Sequence, residues 1–443
     1  MRKVGIETTL RVRLPHRPGQ LARLATAIAE ADGVIGDIKT LRVGEHESVR
    51  DVVVEAADEP HTARIVAAVK ALDGIEVSGT ADIVFERHRG GKIEVKSRVD
   101  IRELRDLRHV YTPGVARVST AIANKRELAW ELTGIGSSVG IFTNGSRVLG
   151  LGDIGPLASL PVMEGKAALY AIFSGISATP ILVDTHDPDV FVETVKRLAS
   201  GFGGIHLEDI SSPECFAIER ALDEALDKPV MHDDQHGTAT AALAAVLNAC
   251  KMTGVDPRAS RLGQIGLGAA GSAIARLALA YGVKSVLVSD RSEAAVASVR
   301  ADGAEPTDLA TLLRESEIVI AATGRPNLID PSMVRKGQIL FALSNPDPEI
   351  APEDALAAGA AFAGDGRSIN NALAFPGLFK AALAVRSRSI TARMRVAAAE
   401  AIALLAPAGE VVPSPLDPGV HEAVMAAAEA AARAEGLAGT ARA

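Results

Sequence analysis

Two pairs of adjacent acidic residues have the chemistry of ligands for a hard divalent metal ion. Glu208 and Asp209 follow an apolar run that is typical of a strand. Asp233 and Asp234 lie within the polar stretch His232–Gly237. Carboxylate oxygens at a strand end or in a loop are the ligands that Mg²⁺ and Mn²⁺ prefer. Each pair taken alone is more often a solvated turn or a helix cap, so a metal site is a hypothesis here.

Two histidines beside the second acidic pair offer a different metal site. His232 and His236 are four residues apart, the spacing that places two zinc ligands on one helical face. Asp and Gly between them are poor helix formers, and neither an HExxH glutamate nor a nearby cysteine is present. We therefore expect both histidines to be structural or capping residues.

Three further side chains could handle protons or carboxylates. Lys166 lies in PVMEGKA, a stretch that predicts the early turns of a helix, where the helix field and a nearby metal would lower its pKa. It is a candidate general base, and an exposed surface lysine is the alternative. Tyr111 precedes a turn, where a core or surface tyrosine is the default, and Arg147 could hold a carboxylate bidentately or be a solvated strand-end residue.

A glycine pattern indicates a dinucleotide site. Gly266, Gly268 and Gly271 match GxGxxG between a predicted strand and a predicted helix, where backbone N–H groups can face a pyrophosphate. Asp290 ends the next strand, where a carboxylate can accept a hydrogen bond from a ribose 2′-OH. The alternative is a purely structural glycine turn. Asp290 favours NAD over NADP, although the adjacent Arg291 could accommodate a 2′-phosphate.

The elements that must position these residues fall into two patterns. The first 85 residues predict strands at 6–14, 34–43, 49–56 and 75–85 with two helices, in the βαββαβ order of a ferredoxin-like module, followed by a linker at 87–92. From about residue 93, strands alternate with helices, which is typical of a doubly wound parallel α/β sheet. The clearest predicted strands are 261–265, 283–289, 318–322 and 339–343.

Composition excludes several classes of protein. The net charge of −8 and the aromatic content of 3% disfavour a nucleic-acid-binding surface. The amino terminus has no signal-peptide pattern, and no run of 18 apolar residues predicts a membrane span. Two cysteines, Cys215 and Cys250, are compatible with a reducing compartment. We therefore expect a cytoplasmic protein with no membrane partner.

Eight motifs together carry a resemblance to a known family. They are YTPGVA, RVLGLGDIGP, PVMEGKA, LEDI followed by CFAIE, HDDQHGTA, GLGAAG, ALSNPDPEI and NNALAFPG. Their order makes about residues 95 to 400 resemble the malic enzymes, particularly the short bacterial and archaeal type. The resemblance implies a malic-enzyme N-terminal catalytic domain and a Rossmann-like NAD-binding domain. It also implies oxidative decarboxylation of L-malate to pyruvate and CO2 with NAD and Mg²⁺ or Mn²⁺, and oxaloacetate decarboxylation as a related activity.

The resemblance also assigns roles to individual residues. Glu208, Asp209 and Asp234 would be the metal ligands. Lys166 would be the general base with Asp233 as its charge partner, and Tyr111 would be the general acid. The substrate and the nicotinamide end of the cofactor would meet Arg147, Asn345 and either Asn370 or Asn371. The cofactor would be lined by Gly266, Leu267, Gly268, Ala269, Ala270, Gly271, Asp290, Thr323 and Asn345. The short stretch 366–370 leaves the choice between the two asparagines open.

The first 85 residues resemble an ACT domain through their element order and the turn Arg17–Leu21. Such modules pair with one another and often bind a small effector. We expect an ACT-like regulatory domain at 1–88, the malic-enzyme N-terminal domain at 89–229 and the NAD-binding domain with a helical tail at 230–443. The resemblance further implies a homodimer or larger homo-oligomer.

Three other functions fit some of these features. A malolactic-type enzyme would retain NAD and release lactate, and an NADP-preferring malic enzyme would use the other cofactor. A non-catalytic nucleotide sensor would need the glycines but neither Lys166 nor the three candidate metal ligands. The presence of all four residues favours an enzyme.

Overall fold

The computed structural model describes residues 5–148, 150–366 and 369–441. The chain divides into two compact units, residues 1–94 and 95–443. Leu149, in the motif RVLGLGDIGP, and Arg367 and Ser368, in the short stretch 366–370, lie outside the described residues.

The first unit is a four-stranded antiparallel sheet in the order β2-β3-β1-β4 with helices packed on it. Its elements are β1 (Ile6–Pro15), α1 (Gln20–Glu30), β2 (Val34–Val43), β3 (Glu47–Ala56), α2 (Glu59–Lys70), β4 (Glu76–Asp82) and α3 (Ile83–His88). The predicted βαββαβ order is confirmed. The alternation in β1 also holds, because Leu10, Val12 and Leu14 are buried in the core while Arg11 and Arg13 are exposed.

The last predicted strand of this unit is shorter than expected. We predicted a strand over 75–85, whereas β4 ends at Asp82 and α3 begins at Ile83. The Asp82 carboxylate accepts hydrogen bonds from the N–H groups of Val84 and Phe85, so it caps a helix that the apolar pattern concealed.

The second unit contains two parallel sheets. Its first part comprises α4 (Leu104–Val110), α5 (Val115–Asn124), α6 (Ala129–Leu132), β5 (Ser138–Thr143), α7 (Gly155–Ser174), β6 (Ser177–Leu182), α8 (Pro188–Leu198), β7 (Gly204–Leu207), α9 (Glu214–Ala225), β8 (Val230–His232) and α10 (Asp233–Thr253). The strands form a four-stranded parallel sheet in the order β6-β5-β7-β8.

The second part of this unit comprises β9 (Arg261–Ile265), α11 (Ala269–Tyr281), β10 (Ser285–Ser289), α12 (Glu293–Ala301), β11 (Glu305–Pro306), α13 (Leu309–Glu315), β12 (Ile318–Ala321), β13 (Ile339–Ala342), α14 (Pro352–Ala357), β14 (Phe362–Asp365), α15 (Phe375–Val385), α16 (Ala392–Leu404) and α17 (Pro418–Ala434). The strands form a six-stranded parallel sheet in the order β11-β10-β9-β12-β13-β14. The strand order reverses between β9 and β12, which makes a crevice at the carboxyl ends of these strands the expected place for a ligand. The doubly wound prediction is confirmed.

The largest core of the second unit joins both sheets and the later helices. Helix α10 is buried along almost its whole length and packs against α11 and α16. Its many alanines permit close helix packing. The polar residues at its first turn are therefore held at a fixed place between the two sheets. Within the described residues, no helix combines the length and the apolar character needed to cross a membrane.

Candidate active site

Lys166 is buried in the middle of helix α7. Its ammonium contacts the Asp233 carboxylate in a short hydrogen bond and lies 3.1 Å from Oε1 of Glu208. It also lies 4.7 Å from the centre of the Phe375 ring. The predicted position in the early turns was wrong, because α7 begins at Gly155 and continues through Pro161. The helix N-terminal field therefore does not act on this lysine.

The charge partners of Lys166 oppose the effect of its burial. Burial alone would lower the pKa of the lysine, but the carboxylates of Asp233 and Glu208 raise it above its ordinary value. Lys166 is therefore an ammonium group in this arrangement, and Asp233 is its charge partner. Burial raises the pKa of Asp233 to about 6, still below that of the lysine, so the proton stays on Lys166.

Three carboxylates converge beside this pair. Glu208, Asp209 and Asp234 can each offer one oxygen such that all three oxygens lie within 4.8 Å of one another. Asp209 has a left-handed backbone, with φ of 54°, and its N–H donates to Oδ2 of Asp234 at 2.9 Å. Its own Oδ2 is buried and has no hydrogen-bond partner in the described part of the chain. A costly backbone conformation that buries an unpartnered oxygen is typical of a site built for a cation.

The electrostatics of the three acids favour the same interpretation. Burial and the nearby charge of Asp234 raise the pKa of Glu208 to about 7. Burial and the two neighbouring carboxylates raise that of Asp209 to about 8. Burial also opposes ionisation of Asp234, yet the nearby His232 imidazole holds its pKa at about 2. A divalent cation between these hard oxygens would relieve their mutual repulsion.

Asp233 and Asp234 form the first turn of α10 rather than a loop before it. The stretch from Asp233 to Gly237 is helical, so the expectation that it resists helix formation was wrong. Two acids in a first turn are stabilised by the helix dipole, and Gly237 leaves the necessary space. A β-carbon at Gly237 would lie 1.8 Å from Oδ1 of Asp233.

Glu219 on α9 holds this first turn in place. Its carboxylate accepts hydrogen bonds from the His232 N–H at 2.7 Å, the Gln235 amide at 3.0 Å and the His236 ring at 3.0 Å. The guanidinium of Arg395, on α16, contacts the other nitrogen of His236. Although burial opposes it, the imidazoles hold the pKa of Glu219 at about 2. His232 and His236 thus have structural partners, as expected.

A second series of buried hydrogen bonds, from Tyr170 through His206, orients Glu208. The His206 ring donates from Nε2 to Oε2 of Glu208 at 2.6 Å, because a carboxylate can only accept. Nδ1 is then the acceptor for the Tyr170 hydroxyl at 2.8 Å. Burial lowers the pKa of His206 to about 3, so the ring is neutral and has one defined tautomer.

Tyr111 makes no contact with this cluster among the residues that the structure describes. It follows α4 and its side chain is 65% exposed. Helices α4 and α5 contain no buried residue, and Leu104 and Leu107 are exposed on α4.

Arg147 lies in the loop after β5 and comes close to residues of both sheets' strand ends. Its backbone N–H donates to the Asp209 carbonyl at 3.0 Å, which fixes the loop after β5 to the segment of Glu208 and Asp209. Its side chain is exposed, and a β-carbon at Gly324, after β12, would lie 3.9 Å from its Nη2. The guanidinium therefore lies close to the crevice of the six-stranded sheet.

The glycine turn after β9 has the space that a pyrophosphate needs. Gly266 has φ of 85°, and a β-carbon there would lie 2.5 Å from the Ala322 carbonyl oxygen. A β-carbon at Gly271 would lie 1.9 Å from the Gly266 carbonyl oxygen. At Gly268 the same addition would meet nothing within 4 Å. Two glycines thus permit the fold, and the third leaves open space at the start of α11, next to Ala269 and Ala270.

Asp290 is fixed against this turn at the end of β10. It accepts hydrogen bonds from the N–H groups of Leu267 at 2.6 Å and Ser292 at 2.7 Å. The Leu267 N–H therefore already has a partner in Asp290. The Leu267 side chain is buried in the core. Asp290 also lines a cavity of about 680 Å³ beside α12.

The turns after β12 and β13 are tied together by Glu349. This fully buried acid accepts hydrogen bonds from Thr323 and Ser344, the residue before Asn345. Asn345 is exposed, and its Nδ2 would lie 2.8 Å from a β-carbon at Gly366.

The two neighbouring asparagines have different surroundings. Asn370 is exposed and accepts a hydrogen bond from the Ala372 N–H at 2.9 Å, which caps a short 3₁₀ helix. Asn371 packs beside the first turn of α10, since a β-carbon at Gly237 would lie 3.1 Å from its Cβ. Of the two, Asn371 is the one next to Asp233.

Three protein families match successive parts of the chain. Residues 8–74 match the ACT domain, and residues 90–223 match the malic enzyme N-terminal domain. Residues 233–326 match the NAD binding domain of D-isomer specific 2-hydroxyacid dehydrogenases.

Full-length relatives extend this match. NAD-dependent malic enzyme 1 of Bacillus subtilis (strain 168) is 51% identical over 426 residues, which cover 96% of this chain and 97% of that protein. The chain belongs to the malic enzyme family. The bifunctional malic/malolactic enzyme of the same organism is 41% identical over 79% of this chain and 91% of its own. The crystal structure of malic enzyme from Pyrococcus horikoshii Ot3 matches with a TM-score of 0.76 and 38% identity, over 80% of this chain and 91% of that one.

Several residues of the site had no predicted role. Glu219 and Glu349 lie inside motifs that indicate the family, CFAIE and ALSNPDPEI, but a single acid in an apolar stretch does not reveal its partners. Tyr170 and His206 are fully buried and looked like ordinary core residues. For Glu219 and His206, the available signal was an acid or a histidine among the apolar residues of a predicted helix or strand.

Proposed function

We propose that the protein catalyses the oxidative decarboxylation of L-malate to pyruvate and CO2 with reduction of NAD. The observation that carries the proposal is the buried Lys166–Asp233 pair, which directly adjoins three converging carboxylates. The loop of Arg147 brings this cluster close to the crevice of the six-stranded sheet. The full-length similarity to an NAD-dependent malic enzyme supports NAD as the cofactor.

The donor set fits Mg²⁺ or Mn²⁺ at Glu208, Asp209 and Asp234. All three donors are hard oxygens, and the buried Oδ2 of Asp209 lacks any other partner. When bound, the ion would supply Lewis acidity to the C2 hydroxyl and carboxylate of malate, and NAD would supply the hydride acceptor. Glu219 and His206 would hold the ligands in position from behind.

The chain's own residues would move the protons. Lys166 would accept the C2 hydroxyl proton as C2 is oxidised, in the neutral form that a nearby cation would favour by lowering its pKa, with Asp233 as its charge partner. Arg147 would hold a malate carboxylate, with Asn345 and Asn371 as further contacts for the substrate or the nicotinamide end. After loss of CO2, Tyr111 would protonate C3 of the enol form of pyruvate.

A second copy of the chain would bring Tyr111 to the site. The support is the segment from Val95 to Val110, where the apolar side chains of Val95, Val99 and Leu104 are half or more exposed. Burying them against a second copy is favourable, and a symmetric dimer is the commonest way to do so. Mixing inactive Tyr111→Phe with inactive Lys166→Ala protein should then restore part of the activity. Failure of all mixtures to regain turnover would contradict this arrangement.

The direct test of the function is an absorbance assay at the NADH band with malate and Mn²⁺, run with NAD and NADP in parallel. We expect net NADH formation and a much smaller rate with NADP. Lactate formation without net NADH would favour the malolactic reaction, for which the bifunctional relative is the supporting observation. No reaction under either condition would refute the proposal.

We propose an ACT-type regulatory role for the first unit. We also propose domain boundaries at 1–88 for this unit, 89–229 for the malic-enzyme N-terminal domain and 230–443 for the NAD-binding domain. The support is its ACT-like sheet and the turn before α1, where Gly19 has φ of 86° and open space around it. Deleting residues 1–88 and measuring particle size and the response to amino acids tests this role. Unchanged assembly and an unchanged response would remove it.

A further inference from the structure

Glu349 is a buried acid with an unusual set of partners. Its side chain is fully buried and accepts from the Thr323 N–H at 2.7 Å and the Thr323 hydroxyl at 2.8 Å. It also accepts from the Ser344 N–H at 3.2 Å and the Ser344 hydroxyl at 2.5 Å. Within the described ranges, these donors are all neutral and the carboxylate forms no ion pair.

The hydrogen bonds of Glu349 are arranged so that its carboxylate only accepts. The Ser344 hydroxyl oxygen already accepts from the Gly324 N–H at 2.7 Å, and the Thr323 hydroxyl oxygen accepts from the Arg325 N–H at 3.1 Å. Both hydroxyl protons are therefore free to point to Glu349. Both oxygens of Glu349 thus accept hydrogen bonds, and four donors surround them.

This charge lies at the switch point of the six-stranded sheet. Thr323 follows β12, the strand next to β9, and Ser344 follows β13. A β-carbon at Gly266, in the glycine turn, would lie 2.9 Å from Cγ2 of Thr323. Glu349 thus holds Thr323, which lies against the glycine turn of the dinucleotide crevice.

We propose that Glu349 is a specificity-determining residue for the redox state of the nicotinamide cofactor. The oxidised ring carries a positive charge and the reduced ring is neutral, so a fixed, unpaired carboxylate under the crevice attracts the oxidised form selectively. The inference rests on the proposed NAD-dependent function. Its consequence is tighter binding of NAD relative to NADH, which favours uptake of the oxidant and release of the reduced product.

The test compares NAD and NADH binding to full-length protein by calorimetric titration without malate. Glu349→Gln keeps the size of the side chain and removes the charge. We expect NAD affinity to fall about threefold to tenfold more than NADH affinity. An equal loss for the two nucleotides, or no loss, would overturn the proposal, because a structural clamp treats both alike.

Two further variants separate charge from shape, and one serves as a control. Glu349→Asp and Ser344→Ala keep the charge and disturb the hydrogen bonds, so both affinities should fall together with their ratio unchanged. A changed ratio in either would count against the charge effect, even if Glu349→Gln does not fold. Glu353→Gln makes the same change at an exposed position on α14 and should change neither affinity. If wild-type protein binds neither nucleotide, the proposed function itself has failed.

Discussion

The second unit buries acidic side chains in two places, and it satisfies them in opposite ways. Around Lys166, burial raises the pKa of Glu208 and Asp209, and one oxygen of Asp209 has no partner. Around Glu349, two backbone N–H groups and two hydroxyls surround the carboxylate. The first cluster leaves a carboxylate oxygen without a partner among the described residues, whereas the second is complete with protein donors alone.

The difference separates two uses of a buried negative charge. Charges that repel one another store unfavourable energy that a ligand can release, so the cluster beside Lys166 is suited to reversible loading. A charge already satisfied by fixed dipoles gains little from a new ligand at the same atoms, so Glu349 is suited to hold two turns and to exert a field. Substitutions in the two places should therefore affect different measurements.

The largest effect is expected from Lys166→Ala. Without the ammonium, neither Asp233 nor Glu208 has a cationic partner and no base faces the substrate hydroxyl, so turnover should fall by roughly 10²–10⁴-fold. Steady-state kinetics measures this change, and nucleotide titration should show unaltered NAD affinity. The exposed Lys251→Ala, on α10, is the matched control. Turnover close to wild type in Lys166→Ala would reject the base assignment.

The next effect is expected from Asp234→Asn. Loss of one of three carboxylate ligands should weaken Mn²⁺ binding by about 100-fold or more, since metal affinity already drops by about 10–100-fold when only an outer partner is lost. Paramagnetic resonance of free Mn²⁺ measures binding independently of turnover. An unchanged binding curve would show that the ion binds elsewhere, and NAD affinity should not change.

A smaller effect of the same kind is expected from Glu219→Gln. Glu219 does not face the predicted ion but holds His232, Gln235 and His236, so we expect Mn²⁺ binding to weaken by about 10–100-fold. Asp223→Asn, one turn further along α9, is the control and should keep normal binding. If the two variants bind Mn²⁺ equally well, Glu219 has no specific role in positioning the metal ligands.

The smallest effect on the protein itself is expected from Gly268→Ala. The added methyl group meets no atom within 4 Å, so the free energy of unfolding should change by less than about 0.5 kcal/mol. NAD affinity should nevertheless fall, because the methyl occupies the space where the pyrophosphate approaches. Gly271→Ala should instead lower the melting temperature, since its methyl would overlap the Gly266 carbonyl. Equal NAD affinity in Gly268→Ala and wild type would show that the cofactor does not bind against this turn.

The fold was largely predictable because its signals are local. Alternating residues in β1 and the glycine pattern before α11 identify a strand and a turn without knowledge of distant residues. The exceptions are also local in origin. The helical cap at Asp82 and the continuation of α7 through Pro161 depend on hydrogen bonds and packing that a hydrophobic pattern does not encode.

The site was less predictable because its geometry depends on distant contacts. The resemblance to malic enzymes selected Lys166 and Asp233, and the structure brings them together across 67 positions of sequence. The contacts of Glu349 and Glu219 could not be predicted, since Glu349 bonds groups from two separate turns and Glu219, on α9, bonds groups at the start of α10. The roles of Tyr111 and Arg147 stay predictions, because their side chains are exposed in a single chain.

The contact between Arg395 and His236 has a consequence for the order in which the protein is made. Lys166, Glu208 and Asp234 leave the ribosome long before α16, which carries the arginine. Until that helix docks, His236 and Glu219 lack their cationic neighbour, and the first turn of α10 is not yet held from behind. We therefore expect a nascent or carboxyl-terminally truncated chain to bind Mn²⁺ only weakly, so that metal binding would become strong only once α16 has been made.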